Sequence, residues 1–417
     1  MDFMLWIFLG LLVVKTIASL WLDGLNLGFV RKHKDQRPVG FEEIVDEETY
    51  RQSVAYTLTK GRFGVVTKVF DAVVLGLVVC TGLLGWAYGG LTDAWGAGVW
   101  AQAAILFVIP TLLGFLSLPF EYYSQFKIEQ DFGFNKSSVG LWMMDQIKNL
   151  VIGAVIMIPM VALLLTIVGW LPGSWWFWGF LLIFLFQLVM IVIYPRFIVP
   201  LYNKLSPLPE GALRDRLMSL AERLQFPTQT IEVIDGSKRS GHSNAYFSGF
   251  GKFRQVVIYD TLIEQLKPEE LEAVLAHEIG HYKKGHIPKM LAGVAIIGLI
   301  AFGVMGWLVQ VPGFVEGLGF VGLPPEAIPG ATFLCFALMS GLVSFWFSPI
   351  AALRSRKHEY EADDYAKKAV GGPEPLIGAL RKLFQKNLSN LNPHPVYSGF
   401  YYSHPTLLER EAALRSE

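Results

Sequence analysis

Two histidines and a glutamate within the stretch Lys267–His286 have the types and spacing for metal-assisted hydrolysis. Pro268 at a first helical position, with acidic residues after it, predicts that the stretch is a helix. On a helix, His277 and His281 leave the same face, so both imidazoles can bind one metal ion. Glu278 is angled away from that pair and can reach a water molecule instead. This H-E-x-x-H pattern predicts zinc peptidase chemistry; the alternative is two surface histidines on an ordinary amphipathic helix.

A catalytic zinc site needs a third protein ligand, and the helical stretch that ends at Gly371 offers one. Glu359 and Asp363 are four residues apart and share a helical face. Glu359 can therefore bind the metal while Asp363 accepts a hydrogen bond from a ligand histidine. Spacing leaves other assignments open. The competing ligands are His286, His358 and Glu361. The structural alternative is that the acidic residues pair with lysines on a solvated helix face, namely Lys357, Lys367 and Lys368.

The C-terminal segment carries a histidine and an arginine that can stabilise an oxyanion. His404 precedes a proline, and Arg410 follows six residues later. The alternative is an N-capped terminal helix that begins near 403–405, with Glu409 and Arg410 on its surface. Spacing alone favours this structural alternative.

The composition predicts a membrane protein. Of the 417 residues, 53% are hydrophobic and only 17% are charged, whereas soluble domains average about 25% charged residues. The mean hydropathy is +0.43. A formal net charge of +0 provides no overall field for nucleic-acid binding. Cys80 and Cys335 both lie in apolar runs, which predicts two buried thiols and neither a disulfide nor a cysteine-based zinc site.

Seven apolar runs are long enough to cross a hydrocarbon core of about 30 Å. They are 4–22, 69–88, 98–120, 150–171, 174–194, 289–311 and 331–353. The segments on one side contain no lysine or arginine, namely 1–3, 89–97, 172–173 and 312–330. The positive-inside rule then places the N-terminus outside and the C-terminus, together with the H-E-x-x-H helix, in the cytoplasm.

This topology predicts four parts of the chain. Residues 1–194 form an N-terminal membrane region of five spans with cytoplasmic loops. Residues 195–288 form a cytoplasmic metalloprotease part with a small sheet and the zinc helix. Residues 289–353 hold spans six and seven, and residues 354–417 are cytoplasmic helices that complete the zinc site.

Residues 229–259 have the patterns of β-strands. Thr230–Ile234 alternates apolar and polar residues, and the segments 244–251 and 254–259 predict a hairpin. An exposed edge strand can hold an extended peptide of any sequence through main-chain hydrogen bonds. The alternative is a structural sheet that covers the zinc helix, and the two roles are compatible.

Together these motifs resemble those of the type I CAAX prenyl proteases, which are integral-membrane zinc endopeptidases. The likeness extends from about residue 50 to the end of the chain. The matching segments are Phe132–Lys136, Tyr194–Pro195 with Phe197–Ile198 and Pro200–Leu201, Pro207–Gly211, Ser243–Tyr246, His277–His281, Glu359–Asp363, and Ser403–Pro405 with Leu407–Arg410. Several motifs in one order are far more specific than the zinc motif alone.

The resemblance implies an all-α multi-pass membrane protein. Its seven transmembrane helices would form an α-barrel around a large water-filled chamber, capped by a cytoplasmic gluzincin-like protease domain with a small β-sheet. It implies one zinc ion per chain, and the implied ligands are His277, His281 and Glu359. The other implied site residues are Glu278 as general base, Asp363 beside the ligands, and His404 and Arg410 at the active site. The implied peptide-binding segment contains Asn244, Ala245 and Tyr246.

The expected partners are a peptide or protein substrate, lipidated ones included, and membrane lipids. No residue demands a prenyl group, so membrane-protein quality control without a prenyl requirement is one alternative. A non-hydrolytic chamber protein that binds lipid or peptide is a second. The intact Glu278 argues against it, because a purely structural zinc site needs no general base. The expected membrane is the bacterial inner membrane or the endoplasmic reticulum, depending on the source.

Overall fold

The structure is a computed structural model that describes residues 3–38, 40–42, 45–227, 230–248, 255–311 and 313–416. Within these residues, the helices are α1 (Phe3–Lys32), α2 (Glu47–Cys80), α3 (Leu83–Trp95), α4 (Val99–Phe115), α5 (Leu118–Tyr123), α6 (Val139–Trp170), α7 (Trp175–Ile193), α8 (Ala212–Arg223), α9 (Asp260–Gln265), α10 (Pro268–Lys283), α11 (His286–Leu308), α12 (Ile328–Ser344), α13 (Ser348–Val370), α14 (Glu374–Lys386), α15 (Pro395–Tyr401) and α16 (Leu407–Arg415). The strands are β1 (Leu205–Pro207), β2 (Ile231–Ile234), β3 (Ala245–Ser248) and β4 (Gln255–Tyr259).

Among the described residues, 6 helical segments are long and apolar enough to cross a membrane. They are Phe3–Lys32, Glu47–Cys80, Val139–Trp170, Trp175–Leu201, His286–Leu308 and Pro325–Val370. A seventh exists if α4 and the segment Leu118–Glu129, bent by 48° relative to it, are counted as one span. The chain is therefore a multi-pass membrane protein.

One predicted span differs from the structure. The run 69–88 crosses the end of α2 and the start of α3, which are separate helices joined at Gly82. Gly82 has a φ of 70°, a left-handed conformation that turns the chain. Hydropathy averages over such a run and does not detect the turn. Cys80, at the end of α2, is exposed, contrary to the prediction that both thiols are buried, whereas Cys335 is buried.

The apolar helices pack into a closed circuit. Along it α1 contacts α2, α2 contacts α3, α3 contacts α4, and α4 contacts α6. The circuit continues from α6 to α7, α7 to α11 and α11 to α12, and α12 returns to α1. This arrangement confirms the predicted α-barrel of membrane helices.

The small predicted sheet has the strand order β1-β2-β4-β3. β2 and β4 are parallel, while β1 and β3 are antiparallel to their neighbours. Tyr246 of β3 lies opposite Val257 of β4, so the predicted antiparallel pairing is confirmed. Residues 249–254, which hold the end of the first predicted strand, the turn and the start of the second strand, lie outside the described residues. β3 is an edge strand of this sheet and contacts α10.

One apolar core joins the sheet to α8, α10, α13 and α14 and fixes the position of the H-E-x-x-H helix. Ile279 of α10 is fully buried against it. The predicted helical stretch ends earlier than expected, because α10 stops at Lys283. Gly285, with a φ of 67°, turns the chain so that His286 begins α11.

Candidate active site

Two helices bring three ligand-type side chains to one point. His277 and His281 project from α10, and their Nε2 atoms are 3.1 Å apart. Glu359 projects from α13: its Oε2 lies 3.5 Å from His277 Nε2, and its Oε1 lies 3.4 Å from His281 Nε2. These three residues have ligand atoms that all lie within 4.8 Å of one another.

The close approach of α10 and α13 depends on a glycine that the sequence patterns did not identify. A Cβ atom at Gly280 would lie 3.1 Å from both the Cα and the carbonyl oxygen of Ala362. These are backbone atoms, which cannot move aside as the end of a side chain can. Ala362 itself is fully buried. The two small residues therefore let α13 approach closely enough for Glu359 to reach the histidines.

Asp363 lies behind His277. Its Oδ1 is 2.8 Å from His277 Nδ1, and its side chain is buried. When Nδ1–H donates to this carboxylate, the lone pair of Nε2 is directed toward the cluster. Asp363 is therefore placed where it can orient His277 and set its tautomer.

Arg410 is buried beside Asp363, so the expectation that it lies on a helix surface is wrong. Its Nε donates to Asp363 Oδ2 at 2.8 Å, and its Nη2 donates to Oδ1 at 2.5 Å. Its Nη1 is 3.6 Å from Glu359 Oε2. The guanidinium therefore lies among the acidic residues behind the cluster. The N-capped helix of the structural alternative exists and Glu409 is exposed on it, but it begins later than the expected 403–405: α16 starts at Leu407 and is capped by Thr406, which accepts a hydrogen bond from Glu409 N.

His404 lies on the open side of the cluster. Its Nε2 is 3.4 Å from Glu359 Oε1, and 60% of its side chain is exposed. The Ser403 hydroxyl is hydrogen-bonded to its Nδ1 at 2.9 Å. An accessible imidazole at this distance can contact a bound substrate.

Glu278, the residue between the two histidines on α10, is half-buried. Burial raises the pKa of its carboxyl group, an effect that the neighbouring His277 and His281 only partly oppose. A carboxylate with a raised pKa is a stronger base than a fully solvated one.

The other candidate ligands lie away from the three-residue cluster. His286 Nδ1 is 2.9 Å from His281 Nδ1, on the edge of the ring opposite to Nε2. Glu361 Oε2 is 3.0 Å from His286 Nε2, and the His358 ring stacks on His286 at 4.0 Å. Among the described residues of α13, two of the expected ion pairs with lysines are present, both at partly exposed acidic residues outside the cluster. They join Lys357 to Glu361 at 4.0 Å and Lys368 to Asp364 at 2.7 Å, while Lys367 donates to Ser416 O at 2.6 Å.

The segment Asn244–Tyr246 leads into the edge strand β3. Tyr259 N donates to Asn244 O at 3.1 Å, and Ala245 N donates to the Asn244 side chain at 2.8 Å. Because hydrogen-bonded pairs alternate along antiparallel strands, Tyr246 bonds to β4 while the main chain of Phe247 is directed away from it. The exposed Asn244 side chain and this outer edge can contact an extended peptide.

The motif Phe132–Lys136 packs against the residues just before β3. The Phe134 ring stacks on His242 at 4.1 Å, and Phe134 O accepts a hydrogen bond from Gly241 N at 2.9 Å. His242 in turn lies 3.5 Å from the Glu129 carboxylate. Sequence reasoning assigned no role to this motif, because its partner is about a hundred residues away along the chain.

The geometry of the cluster fits a metal ion. Ligand atoms around a tetrahedral ion with bonds of about 2.0–2.1 Å lie about 3.3–3.4 Å apart. The two Nε2 atoms are 3.1 Å apart, and each has one carboxylate oxygen of Glu359 near this separation: Oε2 at 3.5 Å from His277 and Oε1 at 3.4 Å from His281. Glu359 Oε2 is also buried without a hydrogen bond from any described residue. Such an oxygen is stabilised by nearby positive charge, which the Arg410 guanidinium at 3.6 Å supplies from behind and a metal ion would supply from the cluster.

Comparison with known proteins agrees with this site and fold. A family profile described as "CAAX prenyl protease N-terminal, five membrane helices" matches residues 26–204, and one described as "Peptidase family M48" matches residues 207–417. The CAAX prenyl protease 1 homolog of Oryza sativa subsp. japonica is 35% identical over 97% of this chain and 95% of its own length. CAAX prenyl protease 1 of Saccharomyces cerevisiae is 36% identical over 90% of this chain and 88% of its own.

The same likeness holds in three dimensions. The crystal structure of S. mikatae Ste24p superposes with a TM-score of 0.90 at 33% sequence identity and covers 99% of both chains. The chain belongs to the type I CAAX prenyl protease family of membrane metalloendopeptidases, as its sequence motifs predict.

Proposed function

We propose that this chain is a zinc endopeptidase that processes the C-terminal CAAX motifs of prenylated proteins. The proposal rests on one observation. His277, His281 and Glu359 cluster at one point, and Glu278 lies on the same helix as the two histidines. The relatives named CAAX prenyl protease supply the substrate class.

In this proposal His277, His281 and Glu359 hold one Zn²⁺ ion per chain. Two imidazoles and one carboxylate are a common ligand set of catalytic zinc sites, and such sites leave the fourth position open. Zn²⁺, when bound, would polarise the scissile carbonyl and lower the pKa of a water molecule toward about 7.

Glu278 is the general base. Its carboxylate takes a proton from the attacking water and later passes it to the nitrogen of the leaving amine. His404, which is exposed beside Glu359, donates a hydrogen bond to the oxyanion that forms on the former carbonyl oxygen. Arg410 acts through Asp363: its guanidinium holds the carboxylate that orients His277.

Asn244, Ala245 and Tyr246 bind the substrate peptide. β3 is an edge strand beside α10, so a peptide added to this edge would lie next to the H-E-x-x-H helix. Main-chain bonding of this type would hold the residues around the scissile bond in an extended conformation.

The proposal includes the predicted topology, with the N-terminus outside and the C-terminus in the cytoplasm. Residues 1–194 and 289–353 are then the membrane parts, and residues 195–288 and 354–417 together form the cytoplasmic protease. The absence of lysine and arginine from the short segments on one side supports this orientation.

The variant Glu278→Gln tests the mechanism. It is expected to keep the fold and the metal, because Glu278 is not among the three clustered ligand residues. Its peptidase activity should fall by about 10²–10⁴-fold, the usual contribution of a general base. The matched control is Glu264→Gln at an exposed position of α9, which should keep full activity. Normal turnover of a model peptide by Glu278→Gln would refute the mechanism.

The substrate is tested separately by the cleavage of one CAAX peptide with and without its farnesyl group. A clear preference for the farnesylated peptide supports CAAX processing. Equal rates would favour the quality-control alternative. A non-hydrolytic role would instead be indicated if the Glu278→Gln protein complemented a deletion of the gene.

A further inference from the structure

We propose that His286 and Glu361 are positioning residues that fix the ring and the tautomer of the metal-binding His281. The inference rests on the proposed metal site. It adds a second set of supporting hydrogen bonds to that site. His286 and then Glu361 follow His281 on the side away from Glu359.

The two nitrogens of His281 have different neighbours. Nε2 is turned to the cluster, 3.1 Å from His277 Nε2 and 3.4 Å from Glu359 Oε1. Nδ1 is turned away from it and is 2.9 Å from His286 Nδ1. Only Nε2 can therefore bind a metal ion that is shared with His277 and Glu359.

This arrangement determines where the protons lie. A neutral imidazole that binds a metal through Nε2 carries its proton on Nδ1. The Nδ1–H of His281 then donates to His286, so His286 Nδ1 must be the acceptor. The proton of His286 is consequently on Nε2, where Glu361 Oε2 accepts it at 3.0 Å. Each donor in this chain has one acceptor, and the chain ends on a carboxylate.

The surroundings keep His286 in this orientation. The residue is buried at the start of α11, directly after the turn at Gly285. The ring of His358 stacks on it with centroids 4.0 Å apart and an angle of 9° between the planes. His286 can therefore rotate little without losing both the stacking and the hydrogen bonds.

The two ligand histidines thus have separate supports. Asp363 accepts directly from His277, whereas Glu361 supports His281 through the intervening His286. Both carboxylates belong to α13, which also carries Glu359. One helix therefore supplies a candidate ligand and the carboxylates behind both histidines.

The test is the zinc affinity of His286→Phe, measured by competition with a chelator on the purified full-length protein. Phenylalanine preserves an aromatic ring for stacking but cannot accept from His281 Nδ1. Loss of such a supporting partner typically lowers metal affinity by about 10–100-fold, and this is the expected change. A zinc affinity equal to that of the parent would overturn the proposal. Thermal unfolding of the metal-free proteins shows whether the substitution affects the fold itself.

If His286→Phe does not fold, the zinc affinity of a second variant tests the same proposal. Glu361→Ala changes a partly exposed side chain and removes the end of the chain of hydrogen bonds. We expect a loss of zinc affinity of about tenfold, the lower end of the same range, because His286 remains as an acceptor. The control is Lys357→Ala, which removes only the exposed partner of Glu361 at 4.0 Å and should leave zinc affinity unchanged. Parental affinity in Glu361→Ala would also overturn the proposal.

Zinc binding by the unsubstituted parent protein distinguishes a failure of this inference from a failure of the proposed function. Failure of the parent to bind zinc would refute the metal site as a whole. Zinc binding by the parent, together with equal binding by both variants, would refute only the role of His286 and Glu361.

Discussion

Removal of the Arg410 side chain is expected to destabilise the fold as well as the active site. Arg410 and Asp363 form a two-pronged pair at 2.8 and 2.5 Å, and their side chains are only 7% and 2% exposed. The variant Arg410→Ala leaves Asp363 buried close to Glu359, with the His277 ring as its remaining partner at 2.8 Å. Breaking a buried pair from one side costs about 3–5 kcal/mol, so the free energy of unfolding should fall by about this amount.

The companion variant removes both charges. Asp363→Leu combined with Arg410→Met fills a similar volume and leaves neither charge of the pair uncompensated. Apolar replacement of a whole buried pair is often close to neutral, so the double variant should be more stable than Arg410→Ala. Its metal affinity should nevertheless be lower than that of the parent, because His277 loses the carboxylate that orients it.

The assay is denaturant unfolding of the metal-free protein in detergent, followed by tryptophan fluorescence. The control is Arg415→Ala in the same helix, where the Arg415–Glu374 pair at 2.9 Å has side chains that are 49% and 67% exposed. Exposed pairs contribute about 0–1 kcal/mol, so this variant should unfold almost as the parent does. An Arg410→Ala protein as stable as Arg415→Ala would refute the reasoning.

Two further predictions concern the cluster itself. Glu359→Ala should lose the metal, because it removes the only carboxylate among the three clustered residues; stoichiometric metal by elemental analysis would contradict this assignment. Gly280→Val should weaken metal binding and cost about 1–3 kcal/mol of stability through overpacking, because its Cβ would lie 3.1 Å from backbone atoms of Ala362. The control Gly64→Ala, at a position with nothing within 4 Å, should show neither effect in the same assays.

Local signals made the α10 helix and the shared face of its two histidines predictable. The residue Pro268 starts the helix, and the four-residue spacing of His277 and His281 places both on one face. The same periodicity predicted that Glu359 and Asp363 share a face of α13. Such inferences succeed because helix geometry depends on neighbours within about one turn.

Contacts between distant segments were less predictable. Spacing alone did not distinguish Glu359 from Glu361 or His286 as a ligand, since all three residue types can bind metal. Arg410 had the pattern of a surface residue on a terminal helix, yet it is buried. Its burial depends on Asp363, which is 47 residues away along the chain.

The sequence by itself determined the membrane character and the residue types of the metal site, because hydropathy and helical periodicity are local properties. The α-barrel class followed only from the resemblance of its motifs to those of the type I CAAX prenyl proteases. The tertiary structure alone decided which carboxylate faces the histidines. That choice depends on the contact between Gly280 and Ala362, which sets the distance and rotation of α13 relative to α10. It also decided that His286 lies behind His281, because the left-handed turn at Gly285 directs the start of α11 there.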